Sequence, residues 1–168
     1  MEDIPALEDL IRDSVSVLSL PYYTAKQISS GLAHVFGPDT QLILDGTYFV
    51  AEADEQIAGS GGWSKRKTLF GGDQAKTNAD LLLDPIKDAA RIRAFYVHPR
   101  WSRQGVATKI LTACEDAARA AGFGRIELAA TLPGEPLYLA RGYRKCEAIM
   151  IETPDGESLP AFRMEKEI

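Results

Sequence analysis

A mixed α/β fold is what this chain predicts, on three observations. Two N-terminal stretches repeat apolar residues every three or four positions, and two short apolar runs flank a turn as a hairpin does. A strand-like run at residues 90–97 then leads through a polar loop into a long amphipathic pattern. With 168 residues the chain is about one domain, expected over 1–168, and is long enough to bury a sizeable core.

Residues 4–20 read as the first helix, with Ile4, Leu7, Ile11, Val15 and Leu18 at helical spacing and Pro5 tolerated in the first turn. Pro21 ends it. Residues 22–36 carry Tyr23, Ile28, Leu32, Val35 and Phe36, a second helix closed by Gly37-Pro38-Asp39. Residues 47–53 form a strand, 54–56 a turn and 57–63 the return strand. Gly59, Gly61 and Gly62 in the second arm point to a bulge or a close backbone approach. Residues 64–89 are irregular, with a turn at 69–73 and Leu81 to Leu83 available to dock on the core; a loop of that length is usually functional or mobile. After the 90–97 strand, residues 103–121 form a helix with Val106, Ile110, Leu111, Cys114, Ala117, Ala118 and Ala121 on one face, capped by Gly122. A strand at 125–130, a short helix at 135–141 closed by Gly142, and strands at 145–152 and 159–165 complete the order. Thr153-Pro-Asp-Gly-Glu157 is the turn between the last two.

Composition excludes several functions. The net charge is −5 and the basic clusters are short, so the stripe that nucleic acid requires is missing. No apolar run approaches the roughly 18 residues of a membrane span. The N-terminus is acidic and lacks a secretory apolar segment. Cys114 and Cys146 match no metal spacing and are too few for a disulfide framework; two reduced thiols in a cytoplasmic protein are expected, with no metal. Gly-Lys-Ser/Thr occurs nowhere, which argues against a P-loop nucleotidase.

The passage from Trp101 to Thr108 joins a strand to a helix N-terminus. The unpaired N–H groups and positive dipole end of such a terminus hold phosphate. Gly105 and Ala107 let an anion approach the backbone, Val106 between them turns to the core, and Arg103 and Gln104 add side-chain donors. An ordinary strand-to-helix connection with one glycine has the same spacing.

Val97-His-Pro-Arg-Trp-Ser-Arg-Gln-Gly-Val-Ala-Thr-Lys-Ile-Leu111 resembles the acetyl-CoA segment of the GNAT superfamily of N-acetyltransferases, Gln/Arg-x-x-Gly-x-Gly/Ala after a strand and a turn. Gly105 and Ala107 match its two small positions. Ser102 stands where the family has Gln or Arg, and Arg103 beside it offers a charge instead. Pro136-Leu-Tyr-Leu-Ala-Arg-Gly-Tyr143 is similar to the family's aromatic-Tyr-x-x-x-Gly-Phe/Tyr segment, and Arg163-Met-Glu-Lys166 resembles its last strand. The resemblance implies a central mixed, mostly antiparallel sheet flanked by helices. The family's usual first edge strand has almost no room before Ile4: either it is absent or the true start lies elsewhere. The 47–53 strand then has an exposed edge able to pair with a second copy.

The same resemblance implies transfer of an acetyl group from acetyl-CoA to a primary amine by direct attack. Tyr96 and Val97 would hold the pantetheine arm of coenzyme A along the strand edge, with an N–H near Val97 donating to the thioester carbonyl. Arg103, Gln104, Gly105, Val106, Ala107 and Thr108 would hold the pyrophosphate. Tyr138 occupies the general-acid position, its hydroxyl protonated at neutral pH. The base is unassigned among Glu52, Asp73, Asp80, Asp84 and Glu147; His98 abuts Pro99 and reads as a turn residue. Tyr48, Trp63, Phe70 and Tyr96 are candidates for an apolar substrate wall, and Asp73 and Asp84 for attracting a cationic amine, small molecule or peptide. The alternative reading is a non-catalytic acyl-CoA-binding or sensing module on the same fold.

Overall fold

The computed structural model describes residues 3–75 and 80–168. Helix α1 (Ile4–Leu18) buries Leu7, Leu10, Ile11, Ser14 and Val15, the stripe its spacing predicts. It stops two residues short of expectation, because the N–H groups of Tyr22 and Tyr23 both turn back onto the Ser19 carbonyl. Helix α2 (Ala25–His34) begins later than its apolar pattern suggests. Thr24 sets the boundary with a capping box: its hydroxyl accepts from the Gln27 N–H, and the Gln27 side chain accepts from the Thr24 N–H. The sequence reading omitted α3 (Thr40–Leu44), which Asp39 caps through the Leu42 N–H and fully buried Leu42 anchors.

Six strands follow: β1 (Tyr48–Ala53), β2 (Gln56–Ser64), β3 (Ala90–Val97), β4 (Arg125–Thr131), β5 (Arg144–Glu152) and β6 (Ser158–Glu167), ordered β1-β2-β3-β4-β6-β5. Only β3 and β4 run parallel. Helix α4 (Val106–Ala120) is the crossover between them, and α5 (Glu135–Ala140) leads from β4 to β5. No strand precedes α1 among the described residues, and β1 forms one edge of the sheet.

Side-chain alternation divides the core into two layers. Along β6, Leu159 and Ala161 join the cluster packed by α1 and α2, whereas Phe162 and Met164 join the cluster packed by α4. The α4 stripe buries Ile110, Leu111, Cys114 and Ala118 as expected. Ala121 lies outside the helix and is exposed, whereas Glu115 is buried, accepting from the Tyr143 hydroxyl (3.0 Å) and from Lys166 (2.9 Å).

On either side of residues 76–79, which lie outside the described residues, the segment at 64–89 is fastened to its surroundings. The Lys67 N–H donates to Leu81 and the Leu83 N–H to Lys65, a short antiparallel pairing. Of the three leucines expected to dock, only Leu83 is buried; Leu81 and Leu82 are exposed. Arg93 of β3, its side chain fully buried, donates to Asp39 (2.7 Å), Asp80 (2.9 Å) and the Thr68 carbonyl (3.0 Å). Tyr23, in the turn between α1 and α2, donates to the Pro160 carbonyl (2.7 Å) and accepts from the Leu132 N–H just after β4 (2.9 Å).

Candidate functional site

The site begins with a defect in strand pairing. The β2–β3 register shifts between Ser60 and Gly62, opposite Ala94, which holds a φ of 50°. A left-handed alanine costs about 1–2 kcal/mol and persists because its surroundings fix it. The Tyr48 hydroxyl lies 2.9 Å from the Ser60 hydroxyl and 3.3 Å from the Ala94 carbonyl, bracing the bulge. Beyond it β3 leaves β4: the two pair only at Ala90↔Ile126 and Arg91↔Glu127. A cavity of about 630 Å³ occupies the gap. The His98 N–H donates to the Ala58 carbonyl (2.9 Å), so strand alternation turns the Val97 N–H away from β2 and towards that gap.

The N-terminus of α4 forms the next wall. A 3-10 turn over Pro99–Trp101 is held by His98, whose Nδ1 accepts from the Arg100 N–H (3.1 Å) and whose ring meets Trp101 edge-on. Arg103 (φ 61°) and Gly105 (φ 83°) are both left-handed, which swings successive N–H groups into a concave cluster. Lys109 makes the first helical bond, to the Gly105 carbonyl (3.1 Å), and no side chain caps the amides before it. Gly59 lets the helix sit this close: a Cβ there would fall 2.8 Å from Val106.

Tyr96, Val97, Arg103, Gly105, Val106, Ala107 and Thr108 all line the cavity, as does Ser102. Gln104 is not among them; its side-chain amide donates to the Arg100 carbonyl (2.8 Å) and braces the turn.

Tyr138 comes to the same cavity from α5. Its ring packs edge-on against Phe95 and Tyr143 at centroid distances of 6.3 and 5.5 Å. Burial, with a smaller contribution from Cys114, raises its pKa above that of a free tyrosine, so the phenol keeps its proton at neutral pH. Burial likewise pushes Tyr96 up and takes the Cys114 thiol to about 12.

The acceptor side departs most from expectation. Phe70 lines the cavity. Trp63 does not: it is buried in the α4-side core against Phe123 (6.0 Å between rings), a packing role that an aromatic in a strand cannot be told from by sequence. Asp73 is also elsewhere, accepting from the Thr40 N–H at the start of α3 (3.1 Å). Tyr48, Glu52, Asp80, Asp84 and Glu147 lie outside the lining as well. In their place α1, the turn after it, the segment following α2 and the turn before residue 72 supply Val15, Leu18, Tyr22, Val35, Phe36 and Leu69. No sequence signal separates these from core, because the amphipathic stripe that lines a cavity is the stripe that packs on a sheet. Cys114 is buried, Cys146 partly so, and both are free thiols. No helix among the described residues is long and apolar enough to cross a membrane.

The model of the acetyltransferase (GNAT) family matches residues 13–143. Among curated proteins, none matches the chain. Solved structures do. A GCN5-related N-acetyltransferase from Rhodopseudomonas palustris superposes with a TM-score of 0.74 at 19% identity, over 99% of this chain and 91% of that one. The PaiA N-acetyltransferase of Thermoplasma acidophilum, in complex with coenzyme A, gives 0.63 at 15%, over 99% and 94%. A ribosomal-protein-alanine N-acetyltransferase from Brucella melitensis gives 0.64 at 15%, over 99% and 95%.

Proposed function

Since this chain belongs to the acetyltransferase (GNAT) family, we propose that its 168 residues form one N-acetyltransferase domain that moves an acetyl group from acetyl-CoA to a primary amine by direct attack. One observation carries this reading: the uncapped α4 N-terminus, the unpaired end of β3 and Tyr138 all open on the same 630 Å³ cavity.

The residues present fit the cofactor. A Cβ built on Gly105 meets nothing within 4 Å, so the backbone there is open to an anion. The amides of Gly105 to Thr108 and the Arg103 guanidinium hold the pyrophosphate, as a helix N-terminus and a ring of N–H donors do for phosphates generally. With the Gln104 amide engaged by the Arg100 carbonyl and a serine at position 102, backbone donors do most of this. The free edge of β3 at Tyr96 and Val97 receives the pantetheine arm in the manner of an added strand. When bound, the cofactor supplies an activated acetyl thioester. The Val97 N–H donates to its carbonyl oxygen, where a positioned donor is worth about 3–4 kcal/mol in the transition state. Tyr138 stores a proton on Oη at neutral pH and passes it to the departing sulfur.

Calorimetry with coenzyme A tests the reading. Saturable binding that falls at least tenfold in Arg103→Ala is expected; a folded wild-type protein with no affinity for coenzyme A or acetyl-CoA overturns it. Release of free coenzyme A in the presence of an amine separates a transferase from a silent acyl-CoA binder.

A further inference from the structure

Five carboxylates were available in the sequence as bases or cation anchors, and none lines the cavity. Neither does any other Asp or Glu among the described residues, and residues 76–79 contain no acid in sequence. Two charged residues do line it. Arg93 is fully buried and already held by Asp39 and Asp80, and Arg103 stands at the α4 end. The remaining polar side chains are hydroxyls, among them Ser14, Ser19 and Tyr22 on the wall opposite α4. That wall is otherwise aliphatic and aromatic: Val15, Leu18, Val35, Phe36, Leu69 and Phe70.

An ammonium ion entering this lobe gives up its water and meets no counter-charge, and desolvating an unpaired charge costs several kcal/mol. An amine therefore binds here as its free base. At pH 7 only on the order of one lysine-type amine in 10³ is uncharged, whereas an amine of low basicity is mostly uncharged already. Among the described residues that wall also lacks a free cation for a substrate carboxylate, since Arg93 is held by its two partners. Polyamines, aminoglycosides and free amino acids are all poorly matched by this chemistry.

Resting on the acetyltransferase reading above, we propose that the acceptor is a small hydrophobic amine of low basicity, of the arylamine class, which enters uncharged between α1, the Val35–Phe36 segment after α2, and Phe70. The chemistry balances without a protein base. The amine nitrogen bonds to the acetyl carbon, the carbon–sulfur bond breaks, Tyr138 protonates the sulfur, and the proton lost from nitrogen restores Tyr138, so none is released to solvent. An alkylammonium substrate releases one.

Two isomers, 4-ethylaniline and 2-phenylethylamine, isolate the effect, because they share a formula and differ in basicity. Their affinities for the coenzyme A-saturated protein are measured by calorimetry at about pH 7 and again near pH 9.5, alongside acetyl transfer and proton release. The expected result is at least tenfold tighter binding of 4-ethylaniline at neutral pH, narrowing at high pH, with transfer to it and no proton release. Phe70→Glu, at an exposed position, is expected to reverse the preference. Equal or tighter binding of 2-phenylethylamine or spermidine at neutral pH overturns the proposal, as does failure of 4-ethylaniline to bind. An unchanged preference in folded, coenzyme A-binding Phe70→Glu does the same. Those results leave acetyl transfer standing; absence of coenzyme A binding instead overturns the parent reading, and this one with it.

Discussion

Tyr138 shows what a single side chain must combine. Its ring is held between Phe95 and Tyr143, while its hydroxyl makes no hydrogen bond to another described residue. Removing only the oxygen leaves the packing intact. Tyr138→Phe is therefore expected to lower turnover by about 10²-fold or more with coenzyme A affinity within twofold of wild type, read by steady-state kinetics and calorimetry. The sequence singled out Tyr138 through the resemblance of its segment, where a Gly and an aromatic follow a short helix, and the structure puts it on the cavity; its part in proton transfer is what the Phe variant tests. Trp63 and Asp73 had no such frame. An aromatic in a strand and an acid in a loop belong to core and cap far more often than to a site, and here they do.

Among elements, β3 couples local strain to distant order. Its bulge at Ala94 opens the cavity, and one residue earlier Arg93 clamps Asp39, Asp80 and Thr68, which places residues 69–71 on the cavity wall. Burial alone would raise the Asp80 carboxyl, but the bonds it accepts from Thr68 and Arg93 outweigh that and hold it below the usual carboxylate range. Arg93→Met removes the guanidinium from both Asp80 and Asp39 in a buried setting. A loss of about 3–5 kcal/mol is expected from such a break, measured by urea unfolding near pH 7. Arg93 is one of the groups that hold the Asp80 carboxyl low in the wild type, so this part of the deficit is present above the carboxylate range and shrinks as the pH falls through it. Periodicity could not show any of this. It located α1, α4 and every strand to within a few residues, since each has enough length to repeat a pattern. It passed over α3, whose five residues make little more than one turn, and it started α2 too early because Tyr23 looks like helix core but belongs to a turn.

For the whole molecule, the order of strands was beyond pattern reading; the resemblance implied only a mixed, mostly antiparallel sheet with an exposed edge at 47–53, and the structure supplies the order. Its consequence is β1 at one margin of the sheet, with Val50 exposed on it. An open, partly apolar margin pairs readily with a second strand. We expect a homodimer formed through β1, detected by light scattering and weakened by Val50→Lys; a strict monomer at tens of micromolar counts against that use of the margin.

Tyr23 has a mechanical consequence at this same scale. Its one phenol oxygen bonds to Pro160 in β6 and to Leu132 at the exit of β4, while its neighbour Tyr22 faces the cavity. Both strands are thus tied to the α1–α2 turn through a single atom, and Tyr23→Phe removes the two ties together.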